Sequence, residues 1–222
     1  EYADGAASTN YYNLIGQLEK AVDPDGVIRL YTYNALGQTD KTILDMDIDL
    51  IGRIKTSALR LLPSVVQLRR DFHKYPELSF EEKETSLKVM RFLDDLHIPY
   101  THGWAGHGIV ASVRGSQPGP MVMLRADMDA LPITEENRVP YTSAHIGVMH
   151  ACGHDVHMSS LLGVAAILHE HAEHLEGEVK LVFQPGEEKL PGGASLMIHD
   201  GLFKPQIPER MIGQHVHPPL PA

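Results

Sequence analysis

Helical and strand-like hydrophobic patterns alternate along this chain from about residue 48, and this alternation constrains the fold more than any single motif. Helices are predicted where apolar residues recur every three to four positions, and strands where they alternate or form short runs. In chain order, the predicted elements are helix 57–74, helix 79–96, strand 108–114, strand 121–124, helix 156–171, strand 179–183, helix 194–199 and a strand from 211. The alternation predicts an α/β fold with a central, mostly parallel sheet flanked by helices.

Three local signals refine these boundaries. Pro63 is expected to break or begin a helix, since proline lacks the amide hydrogen that a helix interior requires. Ser79, followed three residues later by Glu82, matches a capping box at the start of the second helix. Residues 115–120 are rich in glycine and proline, which predicts a turn before the next strand.

Side chains that can bind metal follow three of the predicted strands, at the point where each strand ends: Asp127, Asp129, Glu187, Glu188 and His215. In open α/β sheets, functional sites lie beyond the carboxyl ends of the strands. Three strands that deliver carboxylate or imidazole at this position are more informative than any one motif. The sequence therefore predicts a site at this edge of the sheet.

The run Met-His-Ala-Cys-Gly-His-Asp-Val-His at residues 149–157 contains the only cysteine of the chain, Cys152, two residues before His154. A lone thiol forms no intramolecular disulfide, and thiolate, imidazole and carboxylate are ligands for zinc, manganese or nickel. The run directly precedes a predicted helix, so a loop there can direct several side chains at one ion. The alternative is that Cys152 is a small buried apolar residue.

Composition excludes several classes of function. The formal net charge of −10 disfavours a nucleic-acid partner. No apolar stretch approaches the roughly 18 residues of a membrane helix, so no membrane partner is expected. Fourteen histidines against one cysteine favour a reducing, cytoplasmic location. The acidic start is no signal peptide, and without a methionine the first residue is not expected to be the natural start.

Residues 1–47 are predicted to form a separate arm built from two 21-residue repeats. Five residues recur at this offset, namely Tyr12, Asn13, Gly16, Gln17 and Lys20. A turn signal at 23–26 precedes a strand pattern at 27–33. The segment 31–38 resembles the tyrosine-aspartate repeats of Rhs type, which implies stacked β-hairpins. Two copies are too few to bury a shared core, so a loose hairpin or a disordered arm is the alternative.

From residue 61 to residue 222 the chain resembles the amidohydrolase branch of the aminoacylase and carboxypeptidase metallopeptidases. That branch includes hippurate hydrolases, N-acyl amino acid deacetylases and plant auxin-conjugate hydrolases. The resemblance lies in ordered motifs: Arg-Asp-Phe-His-Lys-Tyr-Pro-Glu at 70–77, Leu-Arg-Ala-Asp-Met-Asp-Ala-Leu-Pro at 124–132, Cys-Gly-His-Asp at 152–155, Phe-Gln-Pro-Gly-Glu-Glu at 183–188, Gly-Gly-Ala at 192–194 and Gln-His-Val-His-Pro at 214–218. The order of the motifs makes the resemblance specific.

The resemblance implies a hydrolase that cleaves the amide bond of N-acyl amino acids or related small peptides with two divalent metal ions. Zinc or manganese is expected, with nickel or cobalt as alternatives. The residues that match the family's metal ligands are Cys152, His154, Glu188 and His215, and Glu187 matches its general base. A metal lowers the pKa of a bound water, whose proton Glu187 would pass to the leaving amine.

Other polar residues near these motifs have less certain roles. Asp129 is assigned to the catalytic machinery as the residue that orients a ligand, although Asp127 and Asp129 could merely cap a turn. His217 could exchange with His215 as a ligand, but is expected to line the pocket. His157 is expected to support the site or pack in a helix. The remaining histidines are expected to be structural or substrate-side (His145, His150) or solvated (His169, His171, His174).

The resemblance further implies a lid and dimerisation domain after residue 218, and then a return of the chain to the catalytic domain with a last histidine ligand. Residues 48–222 are therefore expected to be the N-terminal part of a catalytic domain, and the full-length form is a candidate homodimer. The alternative is an inactive truncated or fused fragment, in which the repeats act as a scaffold.

Overall fold

The computed structural model of the 222-residue chain describes residues 9–12, 18–22, 27–30, 46–204 and 206–216. The chain divides into two units, residues 1–59 and residues 60–222. The predicted boundary after residue 47 coincides with the start of a helix at Ile48 rather than with this division, and it stays a prediction.

The first unit contains a four-stranded antiparallel sheet in the order β1–β2–β3–β4. Its strands are β1 (Thr9–Tyr12), β2 (Leu18–Val22), β3 (Val27–Leu30) and β4 (Met46–Asp47). β2 and β3 pair antiparallel, as the turn predicted between them requires. Most of the second repeat copy, from residue 31 to residue 45, lies outside the described residues, so the repeat interpretation stays a prediction.

The helices are α1 (Ile48–Lys74), α2 (Lys83–Asp95), α3 (His154–Glu170) and α4 (Gly193–His199). The prediction that Pro63 breaks or begins a helix was wrong, because α1 continues through it. Proline removes one hydrogen bond from a helix interior, which a long helix can lose without ending. Among the described residues, no helix is long and apolar enough to span a membrane.

The second unit holds five strands: β5 (Tyr100–Trp104), β6 (Gly108–Arg114), β7 (Gln117–Asp127), β8 (Glu176–Gln184) and β9 (Arg210–Gly213). Their order in the sheet is β5–β6–β8–β7–β9. The α/β class is confirmed, but the sheet is mixed. β6 pairs antiparallel with β5 and β8, and the expected parallel pairing is confined to β7, β8 and β9. β7 begins inside the predicted turn, and β5 was not predicted.

The sheet separates two hydrophobic clusters, because successive residues of a strand point to opposite faces. In β6, Ile109 belongs to the larger cluster and Val110 to the smaller one. Leu93 of α2 and Met158 of α3 join the larger cluster, whereas Met197 of α4 joins the smaller one. The unit is therefore a three-layer arrangement with helices on both faces of the sheet.

The outer edge of the sheet is formed by β9, which pairs with β7 and with no second strand among the described residues. All four of its residues are exposed. They include two large apolar side chains, Met211 (46% exposed) and Ile212 (58% exposed). Within the described part of the chain, β9 is therefore an edge strand, and the predicted site follows its carboxyl end.

The capping box predicted at Ser79 and Glu82 is wrong. The first amides of α2 are capped by Glu77, whose carboxylate accepts hydrogen bonds from the N–H groups of Glu84 (3.1 Å) and Thr85 (2.7 Å). Glu82 occupies the N-cap position but makes no side-chain capping bond. A carboxylate from the preceding loop satisfies these orphan donors equally well, which leaves Ser79 and Glu82 free to bind elsewhere.

A buried charge network ties α1 to α3 and to the long loop between β7 and α3. Both ring nitrogens of His73 contact carboxylates: Nδ1 lies 2.8 Å from Asp155 Oδ2, and Nε2 lies 3.0 Å from Glu135 Oε1. Arg69 Nε lies 2.8 Å from the same Asp155 oxygen. Glu135 also accepts the N–H of Ser143 (2.6 Å), which closes the loop on itself. This network holds the start of α3 in place.

The larger hydrophobic cluster should dominate the stability of the second unit. Leu93 is 0% exposed, whereas Leu62 on α1 is 52% exposed. We expect Leu93→Ala to lower the free energy of unfolding by about 2–5 kcal/mol, because it removes buried methyl groups and leaves a cavity. Leu62→Ala should change it by less than about 0.5 kcal/mol. Urea denaturation of both variants measures the difference, and equal effects would contradict the assigned core.

The His73 network should make stability depend on pH. The hydrogen bond to Asp155 raises the pKa of His73, more than burial lowers it. The contribution of His73 to the free energy of unfolding is therefore fully present below the pKa of about 6.5 in the unfolded chain. It is lost as the pH rises through the higher pKa of the folded protein. We expect the stability gap between the native protein and His73→Leu to be larger at pH 5.5 than at pH 9. Urea denaturation at both values tests this, and the exposed His169→Leu should show no such change.

Candidate metal centre

The candidate site lies at the carboxyl ends of the three parallel strands. Asp127, the last residue of β7, pairs in register with Gln184, the last residue of β8. Gly213, at the end of β9, pairs with Arg125 of β7. The segments that follow β7, β8 and β9 therefore leave the sheet side by side. The N-terminus of α3 lies at the same edge. The structure thus brings together the residues that follow the three strands, and the function of this edge as a site stays a prediction.

Cys152 and His215 meet in this region although 63 residues separate them. The Sγ atom of Cys152 lies 3.3 Å from Nε2 of His215. His215 Nδ1 donates to the carbonyl oxygen of Val216 (2.7 Å), so its Nε2 carries the free lone pair beside the thiol. Gly153 permits this approach: its φ is +87°, and a Cβ there would lie 2.2 Å from Cγ2 of Val216.

His154 is fully buried, with one ring nitrogen bonded and the other free. Nδ1 donates to the carbonyl oxygen of Asp129 at 2.8 Å, which leaves the lone pair on Nε2. Nε2 has no hydrogen-bond partner among the described residues. The nearest acidic oxygens are those of Asp127 (3.6 Å) and Glu188 (3.8 Å). A buried imidazole nitrogen without a partner is costly unless something binds it.

Asp129 holds together three parts of the site. Its carbonyl orients His154, and its carboxylate accepts the hydroxyl of Ser79 (2.6 Å) and the N–H of Glu188 (2.9 Å). Burial favours the neutral acid, but His154, Ser79 and the backbone amides of the Glu188 loop outweigh it and lower the pKa of Asp129 to about 2. Asp129 is thus a fixed anion that positions other groups, and it does more than cap a turn.

The glutamates follow the end of β8 in a tight loop. Gly186 precedes them with a φ of +58°, and both Glu187 and Glu188 are exposed. Their carboxylates form a group with His154 in which the possible ligand atoms lie within 4.8 Å of one another. A second such group contains Cys152, His154 and His215. Two adjoining groups of metal-ligand atoms therefore share His154, and together they include five of the six predicted site residues.

A third group that meets the same distance criterion contains Asp127, His154 and His157. His157 has no free nitrogen, however. Its Nε2 accepts the N–H of Val216 (3.0 Å), and its Nδ1 donates to Asp127 (2.6 Å). His157 therefore supports the chain next to His215, in agreement with the expected supporting role. Asp127 is further held by Arg125 at 2.5 Å.

The electrostatics of the site favour a cation. Burial raises the pKa of the Cys152 thiol, and the carboxylates of Glu188 and Asp127 raise it further, to about 11. Burial alone would lower the pKa of His154, but Asp129 and Asp127 outweigh it and raise this pKa. Negative charge concentrated in a small volume contributes to both shifts. A divalent cation would offset that charge and permit the thiolate.

Sequence reasoning missed the contribution of the segment before α2. Ser79 donates to Asp129, and the Glu82 carboxylate accepts the N–H of Gly186 at 2.7 Å. Their capping-box spacing indicated only a local role. The signal in the sequence that could have indicated otherwise was Glu77, two residues before Ser79. Its carboxylate could cap α2 in place of Ser79 and Glu82.

The other histidines considered in the sequence, where the structure describes them, belong to none of the ligand groups. His145 Nδ1 donates to the carbonyl oxygen of Pro76 (2.7 Å), a structural contact. His150 is buried, and burial lowers its pKa to about 4, so it is neutral. His169 is exposed at the end of α3, and His174 contacts Glu173, as expected for a solvated helix end. His217 lies outside the described residues.

Comparison with known proteins identifies a family. Residues 123–222 match the sequence pattern of Peptidase family M20/M25/M40. An N-acetylcysteine deacetylase of Bacillus subtilis is 38% identical over 163 residues, which are 71% of this chain and 41% of that protein. An N-acyl-L-amino acid amidohydrolase of Geobacillus stearothermophilus is 40% identical over 172 residues, which are 77% of this chain and 44% of that protein.

The fold matches as well. The crystal structure of the Bacillus subtilis protein YXEP, described as a dinuclear metal binding peptidase from the M20 family, superposes with a TM-score of 0.68. It is 38% identical, and the match covers 75% of this chain and 45% of that one. The chain thus spans less than half of the length of each of these relatives. The matched part of the chain belongs to peptidase family M20/M25/M40, a family of hydrolases, and within it to the amidohydrolase branch.

Proposed function

We propose that the protein is a metal-dependent amidohydrolase that cleaves the amide bond of N-acyl amino acids. Cys152, His154, Glu188 and His215 would hold two divalent cations, and Glu187 would act as the general base. The observation that carries the proposal is the pair of ligand groups around His154, whose atoms lie within 4.8 Å of one another in each group. Zinc or manganese suits this mixture of thiolate, imidazole and carboxylate, with nickel or cobalt as alternatives.

The residues present fit such cations. The buried Nε2 of His154 has no hydrogen-bond partner among the described residues, and the Nδ1 bond to Asp129 orients its lone pair into the site. Metal-ligating histidines usually donate their other nitrogen to a carbonyl or carboxylate in this way. His215 has the same arrangement, with Nδ1 on the Val216 carbonyl and Nε2 beside the thiol.

The positions of the two glutamates support the roles proposed for them. The backbone N–H of Glu188 is tied to Asp129, which fixes its side chain near His154. Since Glu188 Oε1 lies 3.8 Å from His154 Nε2, we assign Glu188 to the cation and the likewise exposed Glu187 to the water molecule and the substrate. When bound, divalent cations supply the Lewis acidity that lowers the pKa of a water molecule and polarises a carbonyl. Glu187 takes the proton from the attacking water and donates it to the nitrogen of the leaving amine.

The substrate class rests on similarity. The Geobacillus relative is an N-acyl-L-amino acid amidohydrolase, and the Bacillus relative is an N-acetylcysteine deacetylase. We therefore propose an N-acyl amino acid as substrate, with a carboxylic acid and a free amino acid as products. A thiolate ligand must stay reduced, which favours a cytoplasmic location. The homodimer implied for the full-length form is part of the same proposal.

The direct test measures metal content and turnover on the same sample of the intact protein. After dialysis against zinc or manganese, elemental mass spectrometry should find about two ions per chain, as the proposal requires. The same sample should hydrolyse N-acetyl or N-benzoyl amino acids. Metal without turnover would overturn the proposed substrate, and absence of metal would overturn the site itself.

The adjacent glutamates provide an internal comparison. Glu187→Gln should lower kcat by roughly 10²- to 10⁴-fold, because it removes the base, while the metal content stays unchanged. Glu188→Gln should lose metal as well as activity, because it removes a ligand. Elemental mass spectrometry and kinetics on both variants test this. If Glu187→Gln loses metal and Glu188→Gln keeps it, the two roles are reversed.

The thiol provides a second test of the ligand set. Cys152→Ala should reduce metal content and activity together, since it removes the sulfur that lies beside His215. His169→Ala, on the exposed end of α3, is the matched control and should keep full metal content. A Cys152→Ala variant with the metal content of the native protein would remove Cys152 from the ligands.

A further inference from the structure

Glu82 is a buried carboxylate that the proposed mechanism does not use. It is 0% exposed. Its Oε1 accepts the N–H of Gly186 at 2.7 Å, across 104 positions of sequence. Its Oε2 has no hydrogen-bond partner among the described residues. Burying a carboxylate with one unpaired oxygen costs free energy. Capping of α2 does not explain Glu82, because Glu77 already caps this helix.

Gly186 is held from two sides. Its φ of +58° lies in the left-handed region, and a Cβ there would lie 2.3 Å from Cε1 of the Phe80 ring. The ring therefore covers one side of the glycine, while Glu82 binds its amide. Phe80 itself has a φ of +67°, an uncommon conformation for a side-chain-bearing residue. The segment 79–82 is thus shaped to fit the loop that carries Glu187 and Glu188.

The same segment also reaches the other half of the site. Ser79 donates to the Oδ2 atom of Asp129 that accepts the N–H of Glu188. The loop is therefore bound at Gly186 by Glu82 and at Glu188 by Asp129. Glu187 lies between these two attachments, so the direction of its side chain depends on both.

We propose that Glu82 is a positioning residue for the reaction: its carboxylate fixes the amide of Gly186 and thereby directs Glu187 and Glu188 into the site. This inference rests on the proposed function for the roles of Glu187 and Glu188. The hydrogen bond between Gly186 and Glu82 does not depend on that function. Burial raises the pKa of Glu82 to about 7, and the negative Asp129 adds to the shift. Hydrogen bonds from backbone amides, that of Gly186 among them, oppose this shift and stabilise the charged carboxylate.

Three substitutions of Glu82 separate the effect of its hydrogen-bond acceptor from the effect of its side-chain volume. Glu82→Gln keeps an oxygen acceptor at the same reach, Glu82→Met keeps the volume without an acceptor, and Glu82→Asp keeps the carboxylate but shortens its reach. Glu81, the exposed neighbour, supplies the matched control Glu81→Met. The intact protein is loaded with Co²⁺, whose absorption spectrum reports the ligand geometry.

In Glu82→Met and Glu82→Asp we expect amide hydrogen exchange at Gly186 to accelerate roughly 10- to 100-fold, because a buried hydrogen bond to a carboxylate is lost. The kcat should fall by a similar roughly 10- to 100-fold factor with KM within about threefold, since the base is misdirected but the substrate still binds. The Co²⁺ spectrum should shift. Glu82→Gln should restore all three readouts to near native values, and Glu81→Met should leave them unchanged.

Two results would overturn the inference. One is native exchange at Gly186 together with native kcat in Glu82→Met or Glu82→Asp. The other is a Glu82→Gln variant as impaired as Glu82→Met, which would mean that the charge and not the acceptor matters. If Glu82→Met does not fold by circular dichroism, the comparison of Glu82→Asp with Glu82→Gln decides. If the native protein hydrolyses no N-acyl amino acid, the proposed function fails, while exchange at Gly186 still tests Glu82.

Discussion

The parallel pairing of β7 with β8 and β9 is the constraint on which the rest of the site depends. It brings the ends of three strands to one edge, so that Asp129, the Glu187–Glu188 loop and His215 leave the sheet side by side. The antiparallel strands β5 and β6 extend the sheet and add to its core, but they deliver no candidate ligand. The helix α3 then presents His154 from the same edge, anchored by the carbonyl of Asp129.

Much of this arrangement could be predicted from the sequence, because it depends on local patterns. Apolar runs located β6, β7, β8 and β9, and the residues that follow the last three define the candidate site. The roles of Ser79 and Glu82 could not be predicted in this way. Their spacing is that of a helix cap, and only the folded chain shows that they contact residues 50 and 104 positions away. Likewise, the continuation of α1 through Pro63 depends on a helix length that no local signal gives.

The site gathers negative charge that the protein balances in two ways. Where carboxylates are structural, cationic or donor groups compensate them: Asp155 has Arg69 and His73, and Asp127 has Arg125 and His157. Where Cys152, Glu187 and Glu188 face the open side, no lysine or arginine among the described residues lies within salt-bridge distance, and the basic group that does is the imidazole of His154, 3.8 Å from Glu188. This difference separates the groups that build the site from the groups that are available for a bound cation and for chemistry.

The edge position of β9, within the part of the chain that the structure describes, has a consequence for the order of the site. Among the residues that the structure describes, β9 pairs only with β7, and the side chains of Met211 and Ile212 are exposed. Such an edge is a template for the addition of another strand. Since His215 follows β9 by only two residues, a strand added here would also stiffen the segment that carries this histidine. The order of the His215 imidazole is thus coupled to any strand that pairs with β9.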